Sequence, residues 1–170
     1  PTDSVAVVQL ELISSDGGPI HTSTLSLSAR TTQTVSLGSG QPKLQVGWAR
    51  LTASAGEFTA AASFQITVGQ QVLPRVGVLP GTPTSSLRFF AFVTSGQTNT
   101  GIAVVNTSEV ATASLAVRLI GKDGVPLFTG NTSLNPRQHV ASFLTEPPWF
   151  PGLKNFEGVV ELESTQPVVL

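Results

Sequence analysis

The chain contains no cysteine, no methionine and no tyrosine. Without Cys there is no disulfide, no thiolate nucleophile and no zinc–sulfur site. Without Met or Tyr a core must be assembled from Val, Leu, Ile, Ala and nine Phe, a set that favours strands. Charge is scarce too: 11 % of the 170 residues are Asp, Glu, Lys or Arg, less than half the ordinary share. Nine Lys and Arg against ten Asp and Glu leave a net charge of −1. That balance argues against a nucleic-acid partner, which needs concentrated positive charge, and against a polybasic membrane patch or an acidic tail. No apolar run approaches the ~20 residues of a membrane helix, so no membrane insertion is expected. No basic-then-apolar leader opens the chain, and a start at Pro1 reads as a mature or excised piece.

In place of charge there are 38 hydroxyl side chains, 18 Ser and 20 Thr, with 12 Pro and 16 Gly scattered as punctuation between short segments. This uncharged, Thr-rich composition points to an extracellular or cell-surface location. Alternation with a period of two is the dominant pattern, clearest in Val8-Gln9-Leu10-Glu11-Leu12. The same alternation runs through Leu115–Leu119, Leu44–Val46, Phe64–Val68 and Val159–Glu163, while Phe89–Val93 and Ile102–Val105 are apolar on both faces and read as central strands. Breaks at Asp16-Gly17-Gly18-Pro19, Gly38–Pro42, Gly69–Gln71, Leu79–Pro83 and Asp123-Gly124-Val125-Pro126 space these strands as in sandwiches. Helix signals are thin: Gly56 and Thr59 interrupt the Ala-rich stretch 53–63, and at most a short helical turn is expected near 140–146, halted by Pro147-Pro148.

The most informative feature is an internal repeat. Leu12-Ile13, Asp16-Gly17 and Pro19 recur 107 positions on as Leu119-Ile120, Asp123-Gly124 and Pro126, and Leu27 and Arg30 recur as Leu134 and Arg137. Further along, Gly47 and Leu51 find Gly158 and Leu162 at an offset of 111, so the second copy carries a four-residue insertion, placed at 146–151. The expected layout is two related antiparallel β-sandwich halves of immunoglobulin-like type. They are 1–80, an incomplete copy, and 85–170, a copy with the insertion, joined at Pro80-Gly81-Thr82-Pro83. In a rival layout the strands that each copy lacks are supplied by the other copy or by a neighbouring chain.

Candidate chemistry is sparse. Asp16 and Asp123 stand alone before Gly17 and Gly124, which suits tight hairpin turns better than calcium, a cation that wants six to eight oxygens. His21 and His139 are the only histidines, far apart and without Cys; no G-x-S-x-G and no glycine-rich phosphate loop occurs. No catalytic residue, metal site or cofactor is therefore assigned, and the protein is expected not to be an enzyme. The insertion Pro147-Pro148-Trp149-Phe150-Pro151-Gly152 has two readings: a plug for its own sandwich, or an aromatic pair, Trp149 and Phe150, that stacks on a sugar ring. Two N-x-[ST] matches, at Asn106 and Asn131, are no more than a Ser- and Thr-rich chain yields by chance.

The run Thr100–Ser108, the strand to Leu119-Ile120, Asp123-Gly124, Leu134-Asn135-Pro136, Val140–Leu144 and Phe156-Glu157-Gly158 together resemble a repeat of long secreted bacterial proteins that carry immunoglobulin-like modules. The resemblance covers about 100–170 well and 5–53 in weaker form, and it transfers no catalytic or ligand residue. It implies a stalk, spacer or adhesive module. The expected role is a non-enzymatic surface or filament building block whose partners are copies of itself or neighbouring repeats, with a carbohydrate-binding module as the alternative.

Overall fold

The computed structural model of the protein describes residues 5–37, 46–64, 67–68, 71–72 and 76–170. Every described element is a strand, and all pairings are antiparallel. The expected strand at Leu44–Val46, the breaks at 38–42 and 69–71, and part of the alternation at 64–68 fall wholly or partly outside the described residues.

Three strands, β1 (Ala6–Ser14), β2 (Pro19–Leu27) and β3 (Gly47–Ala55), form a sheet in the order β2-β1-β3. Two small ladders follow: β4 (Ala62–Phe64) with β7 (Val76–Val78), and β5 (Thr67–Val68) with β6 (Gln71–Val72). The second unit contains β8 (Thr84–Thr94), β9 (Gly101–Asn106), β10 (Ala113–Gly121), β11 (Pro126–Leu134), β12 (His139–Phe143) and β13 (Asn155–Val169). Along most of its length β13 lies between β10 and β8, but at its far end Val168 and Val169 pair with Asn106 and Val105 of β9. The 15-residue β13 thus carries one sheet into two layers. Ala91 and Val93 of β8, Val117 and Leu119 of β10, Val160 and Leu162 of β13 and Ile102 and Val104 of β9 meet in a single buried cluster, giving an all-β, sandwich-like body.

Strand pairing in the two units coincides in register from Val8 and Leu115 onward, although β1–β3 carries a further bulge at Val7. In β1–β2, Ala6 faces Leu27, and a bulge between Leu12 and Ile13 shifts Ile13 onto Pro19. In β10–β11, Ala113 faces Leu134, and a bulge between Leu119 and Ile120 shifts Ile120 onto Pro126. Leu10 faces Leu51 across β1–β3 as Val117 faces Leu162 across β10–β13. The hairpin turns close alike, Ser14 N–H donating to Gly18 C=O at 2.8 Å and Gly121 N–H to Val125 C=O at 2.9 Å, with Gly17 and Gly124 at φ 91° and 80°. Those positive φ values explain Gly after each Asp. Even the exceptions match: among the described residues, Arg30 and Arg137 are the non-glycine residues with left-handed backbone, at φ 59° and 62°.

The units differ in what flanks them. In the second, β13 pairs β8 on its other edge, and β12 pairs β9. In the first, no described strand takes the place of β8 or β9, and no strand of the second unit enters the β2-β1-β3 sheet. The inner side of β1 is buried at Ala6, Val8 and Leu10, yet Leu51 of β3 is 36 % exposed where Leu162 is fully buried. Residues 32–36, which match β12, form no strand and are exposed. Their counterpart is a strand only because β9 supplies its ladder.

The helical turn expected near 140–146 is absent. His139–Phe143 is strand β12 and the chain then turns through 144–149. Short apolar segments do not declare their period, and pairing with β9 decides the matter.

A Cβ placed on Gly47 would lie 2.0 Å from Ile13 C=O, and one on Gly158 2.1 Å from Ile120 C=O. Gly158→Ala must therefore push β13 away from β10 at the hairpin end of their ladder. The expected loss is about 2–4 kcal/mol, read as a fall in the denaturant midpoint.

Candidate functional site

The two units are fastened at a joint that runs from the outer face of β1 and β3 to two loops of the second unit. On that face Glu11 lies opposite Arg50 and Ile13 opposite Trp48. Ile13 is fully buried although it points away from the inner side of its own sheet. The turn 135–138 at the end of β11 reaches the same face. The Trp48 indole N–H donates to Arg137 C=O at 2.9 Å, and His139 N–H donates to Ser15 C=O at 3.0 Å. The Asp16-Gly17 turn presses so closely that a Cβ on Gly17 would lie 2.7 Å from Pro136 C=O.

Four charges surround this contact. Arg50 pairs with Glu11 at 2.6 Å and also with Glu109 of the second unit. Arg137 reaches Glu109 at 3.4 Å and Glu11 at 3.7 Å. The hydrogen bond from Arg50, opposed by slight burial and helped by both arginine charges, holds the Glu109 carboxyl below its ordinary range. Each carboxylate thus touches an arginine of both units.

The loops that bear Glu109 and Arg137 are held by Asn106, a side chain with no solvent exposure. Its amide nitrogen lies within hydrogen-bonding distance of Ala111 C=O (2.8 Å), Asn135 C=O (3.0 Å) and Leu134 C=O (3.1 Å), and its oxygen accepts from Ser108 N–H at 3.0 Å. Arg137 N–H donates to Ser108 C=O at 3.0 Å, so the two loops are tied directly as well. Asn106 is closed to glycosylation in this fold, whereas Asn131 is exposed on β11.

No family model matches the chain, and no curated protein matches it. Among solved structures, the Anabaena sensory rhodopsin transducer is similar at a TM-score of 0.42 and 11 % identity, over 53 % of this chain and 95 % of its own. A likeness at that level carries no argument about function.

The residues singled out from sequence fall elsewhere. Trp149 and Phe150 are 5 % and 9 % exposed, inside the core cluster with Leu144. Phe150 packs against Phe128 with ring centroids 6.2 Å apart, and its N–H donates to Leu144 C=O. Rings so placed offer no face to a sugar. Asp16 accepts from the Ser14 hydroxyl and Asp123 from Val125 N–H at 3.1 Å, which is turn chemistry. Among the described residues no three His, Asp or Glu side chains gather as a metal site. No helix among them is long and apolar enough to cross a membrane. Nothing in the sequence marks Glu11, Arg50, Glu109 or Trp48 as members of a joint. Of its residues, only Arg137 carries a visible signal, as the recurrence of Arg30.

Asn106→Ala leaves the three carbonyls and Ser108 N–H without that partner and is expected to cost about 3 kcal/mol in denaturant unfolding. Acid acts on the same region. Burial holds His139 below its ordinary value, so the unfolded chain takes up that proton more readily. The stability it gives is complete above about pH 6.5 and falls as pH drops below it. Protonation of Glu109 adds a further loss in the carboxylate range. His139→Gln is expected to flatten the first fall in a pH series of melting temperatures and to leave the second.

Proposed function

We propose that this chain is a non-enzymatic building block of an extracellular or cell-surface structure, acting through contacts between domains and along strand edges. The observation that carries the reading is the joint itself. A face of one unit receives a turn of the next beside the buried Ile13, through an indole hydrogen bond and a four-charge cluster. Such a contact transmits position from one module to another without any chemistry.

Two further features support it. No described strand covers the outer edge of β3, and that edge, from Ala49 to Ala55, carries a single charged residue, Arg50. Natural edges usually blunt themselves with charge, Pro or bulges, so a bare edge of this kind suits an added strand. The low charge and abundance of Thr support an exported role, and the resemblance to repeats of secreted bacterial proteins supports a stalk or spacer. The rival carbohydrate-binding reading loses its two candidate residues to the core.

Size-exclusion chromatography with light scattering, run over a hundred-fold range of concentration, tests the proposal. The weight-average mass is expected to rise beyond 17.7 kDa with concentration. A constant monomer mass over the whole range would overturn it.

A further inference from the structure

We infer that the outer face of β10, β13 and β8 is a docking surface for a second copy of this chain, which seats its Arg30 turn there as the Arg137 turn seats on the first unit. This rests on the building-block reading and adds the surface, the partner and the direction of growth.

The outer faces of the two units are equivalent in register. On the first unit the covered rows are Glu11–Arg50 and Ile13–Trp48. At the same register on the second unit lie Arg118–Glu161 and Ile120–Val159. The ion-pair row is preserved with its signs exchanged, Arg118 meeting Glu161 at 2.7 Å where Glu11 meets Arg50 at 2.6 Å. The apolar row is preserved and widened, because Phe90 of β8 lies opposite Val159. A cross-strand pair kept apolar on a face that points away from the core calls for a cover.

On the first unit that cover exists, and on the second it does not. Ile13 is fully buried on the face that the Arg137 turn reaches through Trp48, while its counterpart Ile120 is half-buried and Phe90 and Phe92 beside it are 75 % and 50 % exposed. The hairpin turns give the same contrast independently. A Cβ on Gly17 would collide with Pro136 and Arg137, whereas one on Gly124 would meet nothing within 4 Å. Face and turn are both open in the second unit at the places where both are occupied in the first.

The part that would fill this space is already built into the chain. Residues 28–31 repeat the turn 135–138: Thr31 N–H donates to Ser28 C=O at 3.2 Å as Gln138 N–H does to Asn135 C=O at 3.0 Å, and Arg30 shares the left-handed backbone of Arg137. Arg30 is exposed at the tip of that turn. On the face it approaches, Glu161 is buried between Arg88 and Arg118, and the half-exposed Glu163 is the carboxylate open to a further contact. The equivalence in register with the internal joint selects a second copy as the occupant. A contact between two different surfaces repeats from copy to copy, so it builds an open array or a closed ring rather than stopping at a dimer.

Because the contact joins unlike surfaces, each can be blocked separately in the full chain. Phe90→Glu blocks the face and Arg30→Glu blocks the turn, and both sites are exposed enough for the variants to fold, which a thermal melt checks. Gly124→Asn provides a second block of the face, since Asn tolerates left-handed backbone and projects into the open space. Each variant alone is expected to stay at or near 17.7 kDa where the parent assembles, with self-affinity at least roughly tenfold weaker. An equimolar mixture of Phe90→Glu and Arg30→Glu retains one intact face and one intact turn, and is expected to give a dimer and nothing larger. If the parent assembles and the variants assemble equally well, or if the mixture gives no dimer, the docking surface is wrong while the building-block reading stands on the strand edge. If the parent never assembles, both fall.

Discussion

Asn106 is the side chain on which the arrangement of the two units depends. A carboxamide removed from water costs several kcal/mol unless its donors and acceptor are matched. Here carbonyls from two separate loops match it. One loop runs from the end of β9 to β10 and carries Glu109; the other follows β11 and carries Arg137. Because both are bound to one buried group, they cannot shift independently. The spacing of Glu109 and Arg137, which receive Arg50 and Glu11, is thereby held by contacts within the second unit. The joint needs little further ordering when it forms, and the entropy lost on ordering is what usually cancels weak contacts.

That preparation matters because the ion pairs alone would not hold the units. Exposed pairs contribute between nothing and about 1 kcal/mol each. Glu109 is 48 % exposed, so its share is small. The burial of Ile13, together with the bond from Trp48 to Arg137 C=O, contributes more. The charges act mainly on selection: a face bearing Glu11 and Arg50 in crossed contact with Glu109 and Arg137 disfavours any rotation that sets like charges together. Apolar contact supplies adhesion, and charge supplies register.

How much of this is legible in the sequence follows from which residues backbone geometry constrains. Gly17 and Gly124 recur because the hairpins need positive φ, and Gly47 and Gly158 because a neighbouring carbonyl leaves no room for Cβ. Those identities survive between the copies and reveal the strand register, including the four-residue slip before β13. The charge rows do not survive as identities. Glu11 and Arg50 become Arg118 and Glu161, which reads as two mismatches although each row remains an ion pair. A comparison by residue type misses a pair that is kept as a pair. Trp149 is ambiguous for another reason: an indole on a Pro-rich loop has the same local sequence whether it points into the core or out, and only the packing of its loop against Leu144 and Phe128 decides. The β12 segment is hidden in the same way, since five residues show no clear period without their partner β9.

The sign exchange between the two rows has a structural consequence of its own. With the signs reversed, Glu161 sits on the strand next to β8 and is flanked by Arg88 at 2.5 Å as well as Arg118. The first unit presents Glu11 and Arg50, whereas the second presents the exposed Arg88 and Arg118 around a buried Glu161. The charges presented therefore differ although backbone, bulge and turn coincide. Shape makes the two faces interchangeable, and charge makes them distinct, which is the condition for modules of one fold to assemble in a fixed order.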